Sequence, residues 1–132
     1  MNTLPNDYQN FIALSRYARW LPEKNRRETW KETVARYFDF MEEHLKENTN
    51  QELVPKTRKV LEEAVLNLEV MPSMRALMTA GPALAKNHIA GYNCAYLSVD
   101  HPKAFDECLF VLMHGTGVGF SVERQHLSLI HI

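Results

Sequence analysis

The chain has 132 residues, 45% hydrophobic and 23% charged, with a formal net charge of -1 from 15 basic and 16 acidic side chains. That balance gives no basis for a nucleic-acid or membrane partner held by bulk charge, and no apolar run reaches the ~18–20 residues that a bilayer span needs. The two cysteines, Cys94 and Cys108, make no disulfide framework. With no basic-then-apolar stretch at the N-terminus, the expected setting is cytoplasmic and reducing.

The first half reads as helix. Tyr8, Phe11, Ile12, Leu14 and Ala18 recur near helical spacing and predict a helix over residues 8–21, stopped by Pro22. A second helix is predicted over 28–46, where Trp30, Val34, Tyr37, Phe38, Met41 and Leu45 form one apolar stripe. Thr29 and Glu32 have the spacing of a capping box. After the polar break Asn48-Thr49-Asn50, a third helix is expected to run to about Leu68. Leu53, Thr57, Val60, Leu61, Ala64, Val65 and Leu68 share one of its faces, and Pro55 fits only in its first turn.

The second half is punctuated by Pro72, Gly81, Pro82, Gly91 and Pro102. Residues 94–99 read as a strand, 103–114 as a helix, and Gly115-Thr116-Gly117-Val118-Gly119 as a glycine-rich turn into a second strand over 118–123. These are the parts of an α/β unit. Two strands close neither a sheet nor a barrel, so this half is expected to expose strand edges and apolar surface. On that ground the sequence reads as cut off at its C-terminal end.

Several residues have chemistry to offer. Cys94, in Gly91-Tyr92-Asn93-Cys94-Ala95-Tyr96, stands at the mouth of a strand, as a redox thiol or nucleophile would; the alternative is a buried small hydrophobe. Cys108, between Glu107 and Leu109 inside a helix, reads as a packing residue. The glycines at 115, 117 and 119 are no dinucleotide loop, because they leave a helix and enter a strand, the reverse of that motif. They suit a left-handed helix end or a ligand lying directly on backbone. His44, His88, His101, His114, His126 and His131 are scattered, so no metal is assigned; surface contacts and helix-end charge are their expected roles. Arg16, Arg19, Lys24, Arg26 and Arg27, with Tyr17 and Trp20 interleaved, could hold a nucleotide or form a solvated helix end. Met71, Met74 and Met78 read as core or pocket-wall fillers.

Four stretches, in order, carry a family resemblance across about residues 8–125. They are Arg16-Tyr17-Ala18-Arg19-Trp20-Leu21-Pro22-Glu23-Lys24 with Glu28-Thr29-Trp30-Lys31-Glu32-Thr33-Val34; Met71-Pro72-Ser73-Met74-Arg75-Ala76-Leu77; Tyr92-Asn93-Cys94-Ala95-Tyr96-Leu97; and Phe105-Asp106-Glu107 through Gly117-Val118-Gly119-Phe120-Ser121-Val122. Together they resemble the start of the adenosylcobalamin-dependent (class II) ribonucleotide reductases, the opening stretch most of all the monomeric triphosphate reductases.

The resemblance implies an α/β fold: an N-terminal helical region (residues 1–70) leading into the first strands of a ten-stranded α/β barrel (71–127), with 128–132 a candidate non-native tail. It implies reduction of ribonucleoside triphosphates to 2′-deoxyribonucleotides for DNA synthesis. The mechanism would use a thiyl radical raised by adenosylcobalamin on a cysteine further along the barrel, and the short chain alone would be inactive. Cys94 matches the first member of the reducing cysteine pair, which thioredoxin or a similar dithiol restores. Asn93, Ser73 and Gly117 match substrate-binding positions; Cys108 matches none. The implied partners are a ribonucleotide substrate, a nucleotide effector and the dithiol, with the cobalamin site mainly in other parts of the parent protein. Two alternatives stand beside this: a class I reductase large subunit, and a non-catalytic helical interaction module.

Overall fold

A computed structural model describes residues 4–124; the candidate tail at 128–132 lies outside the described residues. Asn6 starts helix α1 (Asp7–Ile12), its side chain accepting the Gln9 N–H at 2.8 Å. The helix expected over 8–21 is then broken. A π-helical turn (Ala13–Tyr17) follows α1, and the chain straightens at Ala18 into a small antiparallel hairpin. That hairpin is β1 (Trp20–Leu21), a 3-10 turn (Pro22–Lys24) and β2 (Arg26–Arg27). Asn25, at φ 48, makes the reversal. The early exit has a tertiary cause: extended backbone lets the Arg19 N–H reach the Glu28 carboxylate at 3.1 Å, while the Glu28 N–H donates to the Arg19 carbonyl at 2.8 Å.

Helix α2 (Trp30–Thr49) begins at Thr29 with the expected capping box. The Thr29 N–H donates to Glu32 Oε2 at 2.8 Å, and the Glu32 N–H to Thr29 Oγ1 at 3.3 Å. It runs three residues past the expected end, to Asn50 in the left-handed region. Helix α3 (Pro55–Leu66) carries Pro55 in its first turn, as expected. Its predicted apolar face is only partly used. Val65 is buried, whereas Val60 and Leu61 are 59% and 44% exposed. Leu61 faces an open cleft of about 230 Å³ shared with Tyr37, Phe38, Ala64 and Val70. The core of this half joins Ala13, Trp30, Val34, Phe38, Val65 and Leu77.

Beyond it come α4 (Met74–Thr79), α5 (Pro82–Lys86), a 3-10 turn (His88–Gly91), β3 (Cys94–Ser98), α6 (Ala104–Met113) and β4 (Gly117–Ser121). β3 and β4 pair in parallel, with Cys94 opposite Gly117 and Ser98 opposite Ser121. This is the expected α/β unit, with β4 starting and ending slightly earlier than the sequence pattern suggests. Phe105, Leu109, Phe110, Met113 and Phe120 are all more than half exposed. The described residues form two two-stranded sheets. No helix among them is long and apolar enough to cross a membrane.

One buried polar knot joins the halves. Glu28, 4% exposed, accepts from Arg36 Nε at 2.9 Å and from the Thr33 hydroxyl at 3.1 Å. Arg36 also donates to the carbonyls of Tyr17, Leu77 and Ala80, the last at 2.7 Å. Arg19 donates to the carbonyls of Met78 and Thr79. The last turn of α4, whose carbonyls have no helical partners, is thus held by two guanidinium groups. Much of the basic cluster is accounted for in the same way: Arg27 donates to the Ala18 carbonyl, and Lys24 and Arg26 both bind Glu32. Arg19, Lys24, Arg26 and Arg27 thus all have structural partners, which favours the helix-end reading over the nucleotide one.

Candidate functional site

Cys94 is the first residue of β3, free and exposed. Within the described residues its thiol is not covered, unlike the buried small hydrophobe of the alternative reading. Residues opposite one another in a parallel pair share a face, and faces alternate along each strand. Cys94, Tyr96 and Ser98 therefore share one face with Gly117, Gly119 and Ser121. Neither Gly117 nor Gly119 has a positive φ. A Cβ on Gly117 would stand 3.6 Å from the Asn93 carbonyl oxygen, and one on Gly119 3.9 Å from that of Ala95, both ordinary contacts. Fold geometry does not demand glycine at either place. What their missing side chains do is leave bare backbone beside the Cys94 thiol and the Tyr96 ring, which favours the ligand-on-backbone reading.

Asn93 is exposed, and its carbonyl accepts the Gly117 N–H at 3.0 Å, joining two of the expected site residues directly. Ser73, also exposed, caps α4, its hydroxyl facing the Ala76 N–H at 3.5 Å. Two residues on from Ser73, the Arg75 guanidinium donates to the Gly115 carbonyl, which ties α4 to the glycine turn; no hydrogen bond joins Ser73 itself to Asn93, Cys94 or Gly117 among the described residues. Gly115, at φ 84, ends α6 in the left-handed conformation anticipated for the glycine turn. Cys108 is half-buried within α6 and free. Of the methionines, Met71 lines an apolar cleft with Tyr8, Ile12 and Trp30, and the Met74 sulfur accepts the Tyr17 hydroxyl at 3.0 Å.

Four residues at this site were given no part in it by sequence. Thr116 is 1% exposed, and its hydroxyl lies 3.0 Å from the Ile89 carbonyl oxygen and 3.1 Å from that of Tyr92. Asn87 caps the 3-10 turn through the Ile89 N–H at 2.9 Å, and its amide nitrogen lies 2.9 Å from His114 Nε2. His114 Nδ1 lies 2.8 Å from the Phe110 carbonyl oxygen, so His114 is more than the helix-end charge expected of it. Arg75 is the fourth. A threonine between two glycines is the only local signal among them, and it is weak.

The family model for the ribonucleotide reductase alpha domain matches residues 2–82, which hold helices α1 to α4, the polar knot and Ser73. The chain belongs to the ribonucleotide reductase family. Its relatives include the adenosylcobalamin-dependent ribonucleoside-triphosphate reductases of Lactobacillus helveticus, 29% identical over 141 residues, and Lactobacillus gasseri, 30% identical over 142. Each alignment covers 86% of this chain and 19% of the relative. Among solved structures, the crystal structure of a B12-dependent (class II) ribonucleotide reductase superposes with a TM-score of 0.72 at 26% identity. It covers 90% of this chain and 20% of that one. The chain thus spans about a fifth of the length of these reductases. They are of the cobalamin-dependent kind, which favours class II over the class I alternative. The helical part lies within the reductase alpha domain, which sets aside an unrelated interaction module.

Proposed function

We propose that this chain serves as a segment of an adenosylcobalamin-dependent ribonucleoside-triphosphate reductase and presents Cys94 as one of two thiols that reduce the substrate ribose. The observation that carries this is the free, exposed Cys94 registered against Gly117, beside bare backbone, in a chain of this family. Residues 1–70 then form the helical region, and 71–127 begin a ten-stranded barrel whose further strands cover the exposed face of β3 and β4.

In net terms two thiols give two electrons and two protons, the 2′-hydroxyl leaves as water, hydrogen takes its place, and the sulfurs join as a disulfide. Cys94 supplies one sulfur. The second cysteine of the pair lies elsewhere in the reductase, because Cys108 is held within α6. Asn93 and Ser73 offer polar groups to the ribose and phosphates, and Gly117 lets the substrate lie on backbone. An external dithiol such as thioredoxin then reopens the disulfide by thiol exchange. A reducing, cytoplasmic setting suits two free cysteines, and the product serves DNA synthesis.

The described residues do not fit the cobalamin itself. No three His, Cys, Asp or Glu side chains among them gather as a metal site. The cleft on the N-terminal helices holds about 240 Å³ and an open, ion-paired hollow beside Asp39, Glu42 and Arg58 about 480 Å³, room for a drug-sized ligand at most, and a corrinoid is larger still. Its contacts belong to other parts of the reductase. When bound, adenosylcobalamin supplies the homolysis that begins the thiyl-radical chemistry.

The test is steady-state turnover of the longer reductase carrying this segment, with a ribonucleoside triphosphate, adenosylcobalamin and dithiothreitol. Cys94→Ser is expected to abolish turnover, since a hydroxyl cannot form the disulfide, and Cys108→Ala to retain most of it. Normal turnover by Cys94→Ser would remove the assignment.

A further inference from the structure

The four residues 114–117 each bond, in succession, to the chain that leads into Cys94 or to α4. His114 Nε2 meets Asn87, the Gly115 carbonyl accepts from Arg75, the Thr116 hydroxyl reaches Ile89 and Tyr92, and the Gly117 N–H donates to Asn93. We propose that this run is a positioning device for the reducing thiol, with Thr116 as its principal positioning residue and His114 as its second. The inference rests on the proposed role of Cys94 and adds two residues that touch neither substrate nor thiol.

The chemistry of each bond restricts what can stand there. Thr116 is almost fully buried, and its one hydroxyl hydrogen is shared between two carbonyls on either side of Gly91. Those carbonyls belong to the turn that delivers Asn93 and Cys94. A methyl in place of the hydroxyl would leave both without that donor, at the place where the turn is fastened to β4.

The His114 link is restricted in the same way. Asn87 Oδ1 accepts the Ile89 N–H, so its amide nitrogen must be the atom facing His114. His114 Nε2 must then accept, and Nδ1 must carry the hydrogen that it donates to the Phe110 carbonyl. Of the two tautomers of the imidazole, only this one satisfies both bonds. Together these bonds fasten the turn that carries Asn93 and Cys94 to the head of β4, on the face where a substrate would lie over the Gly117 backbone and beside the thiol.

The experiment compares Thr116→Val, Thr116→Ser and His114→Gln with the wild type, in two readouts. In the 132-residue chain, amide exchange of Gly117 and Ile89 is followed by NMR. Thr116→Val should speed Gly117 exchange by about tenfold, the order expected when a buried hydrogen bond is lost. Thr116→Ser, which keeps the hydroxyl, should stay close to wild type. His114→Gln, which keeps an acceptor able to face Asn87, should preserve Ile89 protection. In the longer reductase, Thr116→Val should lower kcat with ribonucleoside triphosphate while KM stays near its wild-type value, and Thr116→Ser should restore kcat. Unchanged Gly117 exchange in Thr116→Val, or loss of protection in Thr116→Ser as well, would overturn the proposal; so would an unaltered kcat. If Thr116→Val does not fold, Asn87→Ala takes its place and should release Ile89. Should the unsubstituted reductase form no deoxynucleotide, the functional reading falls, and amide exchange still decides the positioning.

Discussion

Removing the Glu28 carboxylate should destabilise the chain more than any surface change. Glu28 is 4% exposed and accepts from Arg36, the Thr33 hydroxyl and the Arg19 backbone N–H. The Arg36 side chain is 16% exposed, so Glu28→Ala would leave a largely buried guanidinium without its counter-charge. Breaking one side of such a pair costs about 3–5 kcal/mol, against roughly 5–15 kcal/mol for a whole domain. Glu28→Gln keeps the shape and one acceptor and should cost less, about 1.5–3 kcal/mol. Because Arg36 holds the carbonyls of Tyr17, Leu77 and Ala80, the loss should also loosen α4 against α2. Urea unfolding followed by helical circular dichroism gives the free energies by linear extrapolation. A cost under about 1 kcal/mol for Glu28→Ala would refute the argument that this knot joins the two halves.

Glu32 gives a pH-dependent counterpart. Arg26 first, then Lys24 and the Thr29 backbone N–H, hold its carboxyl well below the ordinary value of 4.5. A depressed carboxylate contributes stability above its unfolded value and loses it as pH falls through the folded one. The gap between wild type and Glu32→Gln in urea unfolding should therefore be full at pH 7 and narrow below about pH 4.5; a gap that widens on acidification would contradict this. Gly115→Ala should cost about 1–2 kcal/mol, because a residue with a Cβ pays for the left-handed conformation that Gly115 adopts at φ 84; calorimetry would show it as a lowered Tm. The 132-residue chain alone should form no deoxynucleotide with ribonucleoside triphosphate, adenosylcobalamin and dithiol. A radical cysteine and a reducing pair need three thiols, and the chain has two cysteines; product from the purified chain would disprove the proposed division of labour.

What could be read from sequence was local in origin. The capping box of α2 depends on residues three apart, so Thr29 and Glu32 announced it. Pro55 at the start of α3 and the left-handed Gly115 follow from the backbone chemistry of proline and glycine. The first helix failed for the opposite reason. Its apolar spacing fits a helix to residue 21, but the chain leaves helical geometry at Ala18 so that Arg19 and Glu28 can meet Arg36 and the end of α4. Nothing within one turn of Ala18 reports that demand. The stripe on α3 erred differently: periodicity says which side chains share a face and not how deeply it is covered, and Leu61 borders an open cleft.

The same division runs through the candidate site. Cys94 and the bare backbone of the glycine run were nameable as candidates because their chemistry is visible residue by residue; Asn93, Ser73 and Gly117 came as substrate-binding candidates from the family resemblance. The side chains that hold this site were not nameable, because each acts on a partner 24 to 40 residues away: Thr116 on Tyr92 and Ile89, His114 on Asn87, Arg75 on Gly115. A buried threonine hydroxyl is worth little as a lone hydrogen bond. It gains importance here because the carbonyls it satisfies lie in the turn that carries the thiol to its place. If that is its role, a conservative change at Thr116 should act on the spacing of Cys94 and Gly117 before it acts on the fold, and the valine and serine variants separate those two effects.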